Sequence, residues 1–318
     1  MRFFNLTRLR GNRFVRNSTR SFGLAVVLML PFFSTKSLAC ACGCGVFDIG
    51  NLFPNQPGGA VWVEYDYMDQ NQNWHGGSQA PASDNQDKNI RTNFMTVGGQ
   101  YLFDSGFAVM AELPYWQRHF ATVSDGPFET FDHAALGDLR LEGAYSGFTE
   151  DRDTGVTFGI KLPTGDFTYP NFDRDTEIGS GSTDLMFGAY HIGAFDPLGV
   201  WRYFLNARYT TAVAEQGGYR PGDELDGIAG VSYDAGAVAG VEISPMVQTI
   251  GSFRRHDSES QSDPFNSGYS RVLIGPGVDL AFGNWVVHAE ADLPVYQNMI
   301  GNQLTAPVLI KTNLSYNF

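Results

Sequence analysis

Three cysteines alternate with small residues in one short stretch, CACGCG at 40–45, and they are Cys40, Cys42 and Cys44. The 318-residue chain has no other cysteine. Thiols this close in sequence cannot form a relaxed disulfide with each other, because that bond needs specific Cα separations. They can instead converge on one soft ion, copper or zinc, since the glycines beside them let the backbone wrap. The stretch therefore predicts a metal site.

Other roles for these thiols stay open. Cys40 follows KSLA, a poor match to the sequence that precedes a lipid-modified cysteine. An odd number of thiols in an oxidising compartment also leaves one able to bridge to a partner protein. The sequence does not decide among a metal site, a lipid anchor, a tether and no role.

The residues before the cysteines indicate the compartment. Residues 1–39 carry six arginines, one lysine and no acid, then the apolar run FGLAVVLMLPFF, then small residues at Ser37 and Ala39. This order is typical of a cleaved secretory signal, and the apolar run is too short to span a bilayer. We expect a signal peptide over 1–39, a Cys- and Gly-rich periplasmic or lumenal segment over 40–58, and one domain over 59–318.

Composition narrows the class of that domain. Cleavage after Ala39 removes seven of the 21 basic residues and none of the 34 acids, so 14 basic residues face 34 acids and the formal charge is −20. Such a chain does not bind nucleic acid, which needs a basic surface. With 37 glycines and 14% aromatic residues, an exported β protein is indicated, either a soluble sandwich or a membrane barrel.

Alternation along the chain favours the barrel. In PVLIKTNLSYNF, at 307–318, apolar and aromatic residues fall on one face and polar residues on the other, as in a strand with one apolar side. A chain that ends on Phe318 in this pattern resembles the terminal strand of bacterial outer-membrane barrels, which the barrel-insertion machinery recognises. Membrane lipid would cover the apolar face.

Connection lengths support the same conclusion, because long and short links alternate as they do between the two ends of an outer-membrane barrel. We predict an all-β, up-and-down antiparallel transmembrane barrel in the bacterial outer membrane. Its strands, about twelve, are expected at 59–69, 92–103, 106–119, 136–147, 154–163, 182–193, 199–213, 225–235, 240–254, 269–281, 284–296 and 305–318.

The polar faces of these strands would line the interior. Charged residues expected there are Glu64, Asp66, Glu112, Arg118, Asp138, Arg140, Glu142, Lys161, Asp184, Arg202, Arg208, Arg271, His288, Glu290, Asp292 and Lys311. Inward aromatic residues are expected at Trp62, Trp116, Tyr190, Phe204 and Tyr296. The charges form either a wet, paired lining or a graded filter for one solute. Because twelve strands lie between a side-chain-filled barrel and an open pore, we expect a narrow or plugged channel.

Three motifs carry a family resemblance. The stretches LGDLRLEGAYSGF, GVTFGIKLPTGDF and IGSGSTDLMFGAYHIG occur in this order within residues 136–193. They resemble the outer-membrane family named for the meta-cleavage pathway of phenol degradation. The shared residues are Gly137, Asp138, Leu162, Pro163, Thr164, Gly165, Asp166, Gly179, Gly181, Ser182, Thr183 and Asp184. The resemblance implies a barrel that passes small, often aromatic, solutes.

The connection after LPTGD is expected to be an ordinary outer loop. Pro163 ends its strand, and Gly165 and Asp166 open the loop. The acids of FDRDTE, at 172–177, lie two apart but lack the glycine turn and the distal glutamate of an EF-hand calcium site. A solvated acidic loop is the interpretation that this pattern favours.

The chain is not expected to be an enzyme. None of its six histidines lies in a GxSxG, HExxH or similar motif. His119 and His133, near an outer loop, keep a barrel-wall lipid hydrolase as an alternative. The main hypothesis is a channel or transporter for a small solute, aromatic ones included. The other alternative is a metal-binding or partner-tethering barrel that uses the N-terminal thiols.

Overall fold

The computed structural model describes residues 56–123 and 126–318, and in them the predicted barrel is confirmed. The predicted signal peptide and the three cysteines lie outside the described residues. Each strand pairs antiparallel with the next along the chain, and the last strand pairs with the first, which closes the sheet. Within the described part, no helix is both long and apolar enough to cross a membrane.

In the described residues twelve strands make up the barrel wall, and each of the twelve predicted segments overlaps one of them. Their bounds are β1 Gly58–Gln70, β2 Asn89–Leu102, β3 Phe107–Val123, β4 Phe128–Leu136 continued by Leu139–Tyr145, β5 Thr154–Leu162, β6 Ser182–Ala194, β7 Trp201–Glu215, β8 Glu224–Tyr233, β9 Val241–Arg254, β10 Tyr269–Phe282, β11 Trp285–Thr305 and β12 Leu309–Asn317. Short strands at Gln72–Gly76, Ser78–Gln79 and Ala237–Val238 extend the sheet, and Ala82–Asn85 and Arg174–Thr176 are 3-10 turns.

The two faces of the sheet differ as the alternation predicts. On β1, Val61 and Val63 are about half exposed, whereas Trp62 and Glu64 are buried. The same contrast recurs around the wall, where exposed Val, Leu and Phe side chains alternate with buried polar ones. An apolar outside and a polar inside suit a barrel that sits in lipid.

The two ends of the barrel also differ. Both described termini and the short turns, such as 103–106 and 283–284, share one end, and the longer connections 71–88, 163–181 and 255–268 share the other. We call these the short-turn end and the long-loop end. Cross-strand aromatic contacts such as Trp201 with Tyr233 and Trp285 with Tyr316, with ring centroids 4.8 and 4.9 Å apart, lie at the short-turn end. They form part of an aromatic girdle, and short turns are periplasmic in such barrels.

The prediction that Tyr296 faces the interior is wrong. Strand β11 carries a bulge, because Val272 pairs with Tyr296 while the next residue, Leu273, pairs with Pro294. The extra residue, Val295, shifts the alternation by one, so Tyr296 lies on the outer face and is half exposed. Beyond the bulge β11 continues to Thr305, through residues expected to form a loop.

The other inward aromatic residues lie close to the wall. Trp62 stands opposite Gly98, Tyr190 opposite Gly155 and Phe204 opposite Gly230 in the strand register. A Cβ atom added to any of these glycines would come within 2.4 Å of the facing ring. The glycines therefore let the rings lie against the sheet instead of projecting across the interior.

Candidate functional site

The connection between β5 and β6, residues 163–181, folds into the long-loop end of the barrel, and we call it the inner loop. Phe172, Thr176, Glu177 and Ile178 in this segment are all buried. The expectation of a solvated acidic loop was therefore wrong for Glu177, which is 6% exposed. Alternation could not show this, because the segment contains no long strand.

The base of the inner loop is a close packing of motif residues. A Cβ atom on Gly165 would lie 2.7 Å from Cα of Gly179 and 2.9 Å from the carbonyl carbon of Gly137. The amide of Gly179 donates to the carbonyl of Asp166 at 2.6 Å. The three sequence motifs thus meet at one point, and glycine is needed where the backbones approach.

Asp138 anchors this base from the wall. It stands in the break of β4, and its Oδ1 accepts the amide of Gly165 at 3.0 Å. Its Oδ2 accepts the amide of Ser180 at 2.9 Å and the hydroxyl of Ser180 at 2.5 Å, with Lys161 Nζ at 3.5 Å. One buried carboxylate therefore holds both ends of the inner loop.

Two wall cations hold the tip of the inner loop. Arg118 on β3, which is 2% exposed, donates from Nη1 to the carbonyl of Thr176 and to that of Glu177 at 3.3 Å. Lys88, just before β2, contacts Asp173 at 2.5 Å. These are charge-assisted contacts, which are stronger than neutral hydrogen bonds.

Aromatic packing fixes the outer side of the loop. Phe172 packs edge-on against Phe120 of β3, with ring centroids 5.7 Å apart. Tyr169 stacks on His133 of β4 at 4.1 Å, and His133 Nε2 contacts Asp166 at 2.9 Å. His133 is thus a loop contact, and His119 contacts Asp132 at 2.8 Å.

Arg174 lies between two aromatic rings. Its guanidinium carbon is 5.0 Å from the ring centre of Phe167 and 4.6 Å from that of Tyr219, which belongs to the connection between β7 and β8. Its Nη2 donates to the carbonyl of Ser180 at 2.5 Å. Its Nε and Nη1 have no hydrogen-bond partner within the described part of the chain.

Glu177 is an unusual carboxyl group. Burial raises its pKa to about 8, and the negative charge of Asp166 adds to the effect, while Arg174 and Arg118 partly oppose it. Its Oε2 has no hydrogen-bond partner among the described residues. Asp166 shifts the other way: the backbone amide of Thr168 lowers its pKa, and the Thr168 hydroxyl and His133 act in the same direction.

A cavity of about 120 Å³ lies between the inner loop and the wall. Trp116, Met186 and Tyr219 contribute apolar and aromatic surface. The cations that line it are Arg140, Lys161, Arg174, Arg208 and Arg254. The acids are Asp138, Asp175, Glu177, Asp184, Glu224 and Asp226.

Several of these charges are paired. Lys161 contacts Asp184 at 2.6 Å, and Arg208 contacts Glu142 at 3.5 Å. Arg254 contacts Asp257 at 2.6 Å, and Asp257 also accepts from the Tyr219 hydroxyl and the Gly222 amide. Because Asp257 is fully buried, this cluster joins two outer connections above the cavity.

A second group of charges follows β11 and its neighbours. His288 contacts Asp279 at 2.7 Å and Glu290 at 3.3 Å. Lys311 on β12 stands opposite both Glu290 and Asp66 in the strand register. Asp292, next along the same face of β11, is 1% exposed. Acids outnumber cations here, whereas the cavity carries nearly equal numbers.

The predicted interior residues occupy distinct places. Two clusters account for ten of them. The cavity brings together Asp138, Arg140, Lys161, Asp184 and Arg208, and the β11 group consists of His288, Glu290, Asp292, Lys311 and Asp66.

The remaining predicted residues make separate contacts. Glu112 lies 4.0 Å from Arg140, and Glu142 contacts Arg208. Arg118 holds the inner loop, and Glu64 accepts a hydrogen bond from Asn313. Arg271 lies over the ring of Tyr269 at 4.8 Å. Arg202 is exposed at the short-turn end, where its Nε donates to the Gly199 carbonyl.

The predicted metal ligands, Cys40, Cys42 and Cys44, lie outside the described residues. Among residues 56–123 and 126–318, no group of three or more His, Cys, Asp or Glu side chains is arranged to hold a metal ion.

Sequence reasoning missed the residues that the inner loop brings to the cavity, Arg174, Asp175 and Glu177. It also left out Glu224 and Asp226 of β8, although their two-residue spacing in ELDG carries the same inward signal as Glu290 and Asp292. Loop residues gave no such signal, because periodicity reports only on strands and helices.

Comparison with known proteins supports the fold. No protein-family model matches the sequence, and no curated protein matches it either. The COG4313 outer membrane channel from Pseudomonas putida F1 superposes with a TM-score of 0.63 at 12% identity, covering 85% of this chain and 99% of that one. An identity this low establishes a shared barrel fold alone.

Two further barrels are more distant. The beta domain of the Bordetella autotransporter Brka gives a TM-score of 0.48 at 13% identity, covering 83% of this chain and 100% of that one. The Ralstonia pickettii toluene transporter TbuX gives 0.41 at 10% identity, covering 83% and 90%. The closed antiparallel barrel, with apolar side chains outside and polar ones inside, is the architecture of bacterial outer-membrane proteins.

Proposed function

We propose that this protein is a narrow outer-membrane channel for a small solute and that the inner loop forms its constriction. The observation that carries the proposal is the cavity between the inner loop and the wall, lined by charges of both signs. A barrel that served only as a rigid platform would gain more from an apolar filling, because buried ion pairs add little net stability.

Barrel size supports the same function. Eight strands enclose little more than packed side chains, and sixteen or more leave an aqueous channel, so twelve strands need a further device to narrow the lumen. Arg118, Lys88 and Asp138 hold the inner loop where it can serve as that device.

The solute class implied by the family resemblance, small aromatic molecules, stays a prediction, as does the metal-binding or tethering role of Cys40, Cys42 and Cys44. A wall hydrolase receives no support from the two histidines considered for it. His133 is engaged by Asp166 and Tyr169, and His119 by Asp132.

Planar-bilayer recording tests the channel. Purified protein is expected to give small, discrete conductance steps. A variant in which residues 168–178 are replaced by a short Gly-Ser linker is expected to give steps several-fold larger. The matched control shortens the exposed tip at 259–262, which is outside the cavity lining, and should leave the step size unchanged. If neither the parent nor the replaced variant conducts or passes solute, the protein is not a channel.

A further inference from the structure

The size of the cavity limits what it can bind. A protein cavity of about 150 Å³ holds one benzene molecule, so a cavity of about 120 Å³ fits a solute of roughly six heavy atoms. The wall strands β3 to β9 and the inner loop enclose this space. The occupant is therefore a compact molecule.

The charges that line the cavity limit its polarity. Five cations face six acids, which leaves a formal charge of −1, and Glu177 is protonated over much of the neutral range because burial raises its pKa to about 8. A lining without a dominant sign gives no strong preference for a simple anion or cation. A hydrocarbon would displace water from charged groups and offer no hydrogen bonds in return, which is costly.

Most cavity charges already have partners. Lys161 is held by Asp184, Arg254 by Asp257, and Arg208 by Glu142. Single atoms of other lining groups, such as Nε of Arg254 and Oδ1 of Asp226, also lack a hydrogen-bond partner within the described residues, but Arg174 has two such nitrogens, Nε and Nη1, and Oε2 of Glu177 on the same turn is a third such atom. The Arg174 guanidinium supplies hydrogen-bond donors, and the Glu177 carboxylate, when ionised, supplies acceptors.

Arg174 and Glu177 lie close together on one turn. They are three residues apart, at the start and just past the end of the 3-10 turn Arg174–Thr176. Each of the two charges acts on the pKa of the other, so the two side chains lie within electrostatic range. The rings of Phe167 and Tyr219 fix the Arg174 guanidinium from two sides, so its direction is set before any ligand arrives.

We infer that this turn binds a small zwitterion, whose carboxylate is held by Arg174 and whose primary ammonium group is held by Glu177. The inference rests on the proposed channel function and names the solute class that the constriction selects. An amino acid of about six heavy atoms, such as β-alanine, has the required size and both charges. A small aromatic hydrocarbon has the size but neither charge.

Titration calorimetry on the whole mature protein in detergent micelles tests the inference. β-Alanine is expected to bind at least about tenfold more tightly than propionate, propylammonium or toluene, because each of these lacks at least one charged contact. Arg174→Gln and Glu177→Gln are each expected to weaken β-alanine binding by about tenfold or more. The exposed Arg255→Gln and Glu259→Gln are matched controls and should bind as the parent does.

A second readout separates a binding contact from a folding defect. An ammonium group beside Glu177 favours its ionised form, so binding near pH 7.5 should release a proton, and the apparent binding enthalpy should depend on the buffer's ionisation enthalpy. Glu177→Gln should abolish that dependence while keeping the β-sheet circular dichroism spectrum and melting temperature of the parent.

The outcomes distinguish this inference from the proposed function. If toluene or propionate binds as tightly as β-alanine, or if both variants bind β-alanine like the parent, the zwitterion site is wrong. If β-alanine does not bind although the protein conducts in planar bilayers, the inference fails and the channel function stands. If the protein neither conducts nor passes solute, the channel function itself fails.

Discussion

The two ends of the barrel interior are held by different physical means. At the long-loop end, an inserted segment is fixed by charged and hydrogen-bonded contacts through Asp138, Arg118 and Lys88, together with the packing of Phe172 on Phe120. At the short-turn end, Trp62 packs in an apolar cluster with Leu102, Ala108, Met110, Ala144 and Tyr190. The first end contains a part that can be released, whereas the second contains only wall residues.

This contrast explains where regulation can occur. Apolar packing of wall residues is lost only when the barrel itself unfolds, since those residues belong to hydrogen-bonded strands. A loop fixed by a few polar groups and one aromatic cluster can detach while the strands stay paired, because local opening costs less than global unfolding. We therefore expect changes at the long-loop end to alter conductance and changes at the short-turn end to alter mainly stability.

The largest effect is expected from Asp138→Asn. Asparagine keeps the size of the side chain but replaces one acceptor oxygen with a donor amide, which then faces N–H or O–H donors of Gly165 or Ser180. Leaving such buried donors unsatisfied costs about 1–3 kcal/mol, so the inner loop should detach more often. Planar-bilayer recordings should show more frequent and larger openings.

Asp196→Asn is the matched control, because Asp196 accepts three backbone amides in a turn at the opposite end, those of Leu198, Val200 and Trp201. It removes similar hydrogen bonds without touching the lumen. We expect a lower melting temperature and unchanged conductance. Equal conductance in both variants and the parent would show that the Asp138 anchor does not control the constriction.

The sequence predicted the short-turn end better than the long-loop end, because the short-turn end consists of wall strands and the long-loop end contains an inserted loop. Alternation placed every wall strand, and it assigned the inward face of β1 and of β11 as far as Asp292. It failed at Tyr296, because a single bulge residue reverses the alternation and has no signature in composition. It also treated the last part of β11 as a loop, because Gly301 and the polar residues around it interrupt the pattern.

The candidate site was only half predictable. Wall residues such as Lys161 and Asp184 follow from period two, but Arg174 and Glu177 are brought to the cavity by contacts far apart in sequence. The three sequence motifs contain glycines that shape the inner loop, but alternation does not reveal this role. Gly165 was expected only to open a loop, whereas the structure shows that it and Gly179 permit close backbone packing at the base of the inner loop.

A rise in pH should loosen the long-loop end. The pKa of Glu177 is raised from 4.5 to about 8 in the folded protein, mainly by burial, so the native state holds this proton more tightly than the unfolded chain does. The stabilisation is therefore complete below pH 4.5 and is lost as pH rises through about 8. Asp166, Arg174 and Arg118 are the charged groups that influence it.

Conductance should accordingly rise between pH 6 and pH 9, and this rise should be smaller than the increase that Asp138→Asn causes. Glu177→Gln stays neutral and should weaken the pH response in this range, while the exposed Glu259→Gln should leave it unchanged. A pH response of the same size in Glu177→Gln would assign the effect to another group.

A smaller effect on conductance, opposite in sign to that of Asp138→Asn, is expected at the short-turn end. Gly98→Ala places a Cβ atom 2.3 Å from the ring of Trp62, so the ring must move away from the wall into the lumen. Overpacking of this kind costs about 1–3 kcal/mol. We expect a lower melting temperature and a modest fall in conductance. Gly99→Ala, on the outer face with its nearest neighbour at 3.4 Å, is the control and should show neither change.

The smallest effect on conductance is expected from the three N-terminal thiols. If Cys40, Cys42 and Cys44 hold a soft ion, the mature protein should bind copper(I) or zinc with a defined stoichiometry, and a variant with all three changed to serine should not. Conductance should be the same with and without metal, because the constriction lies at the long-loop end. Equal metal binding by both proteins would rule out the thiol site, and conductance that depends on metal only in the parent would show that the thiols also affect passage.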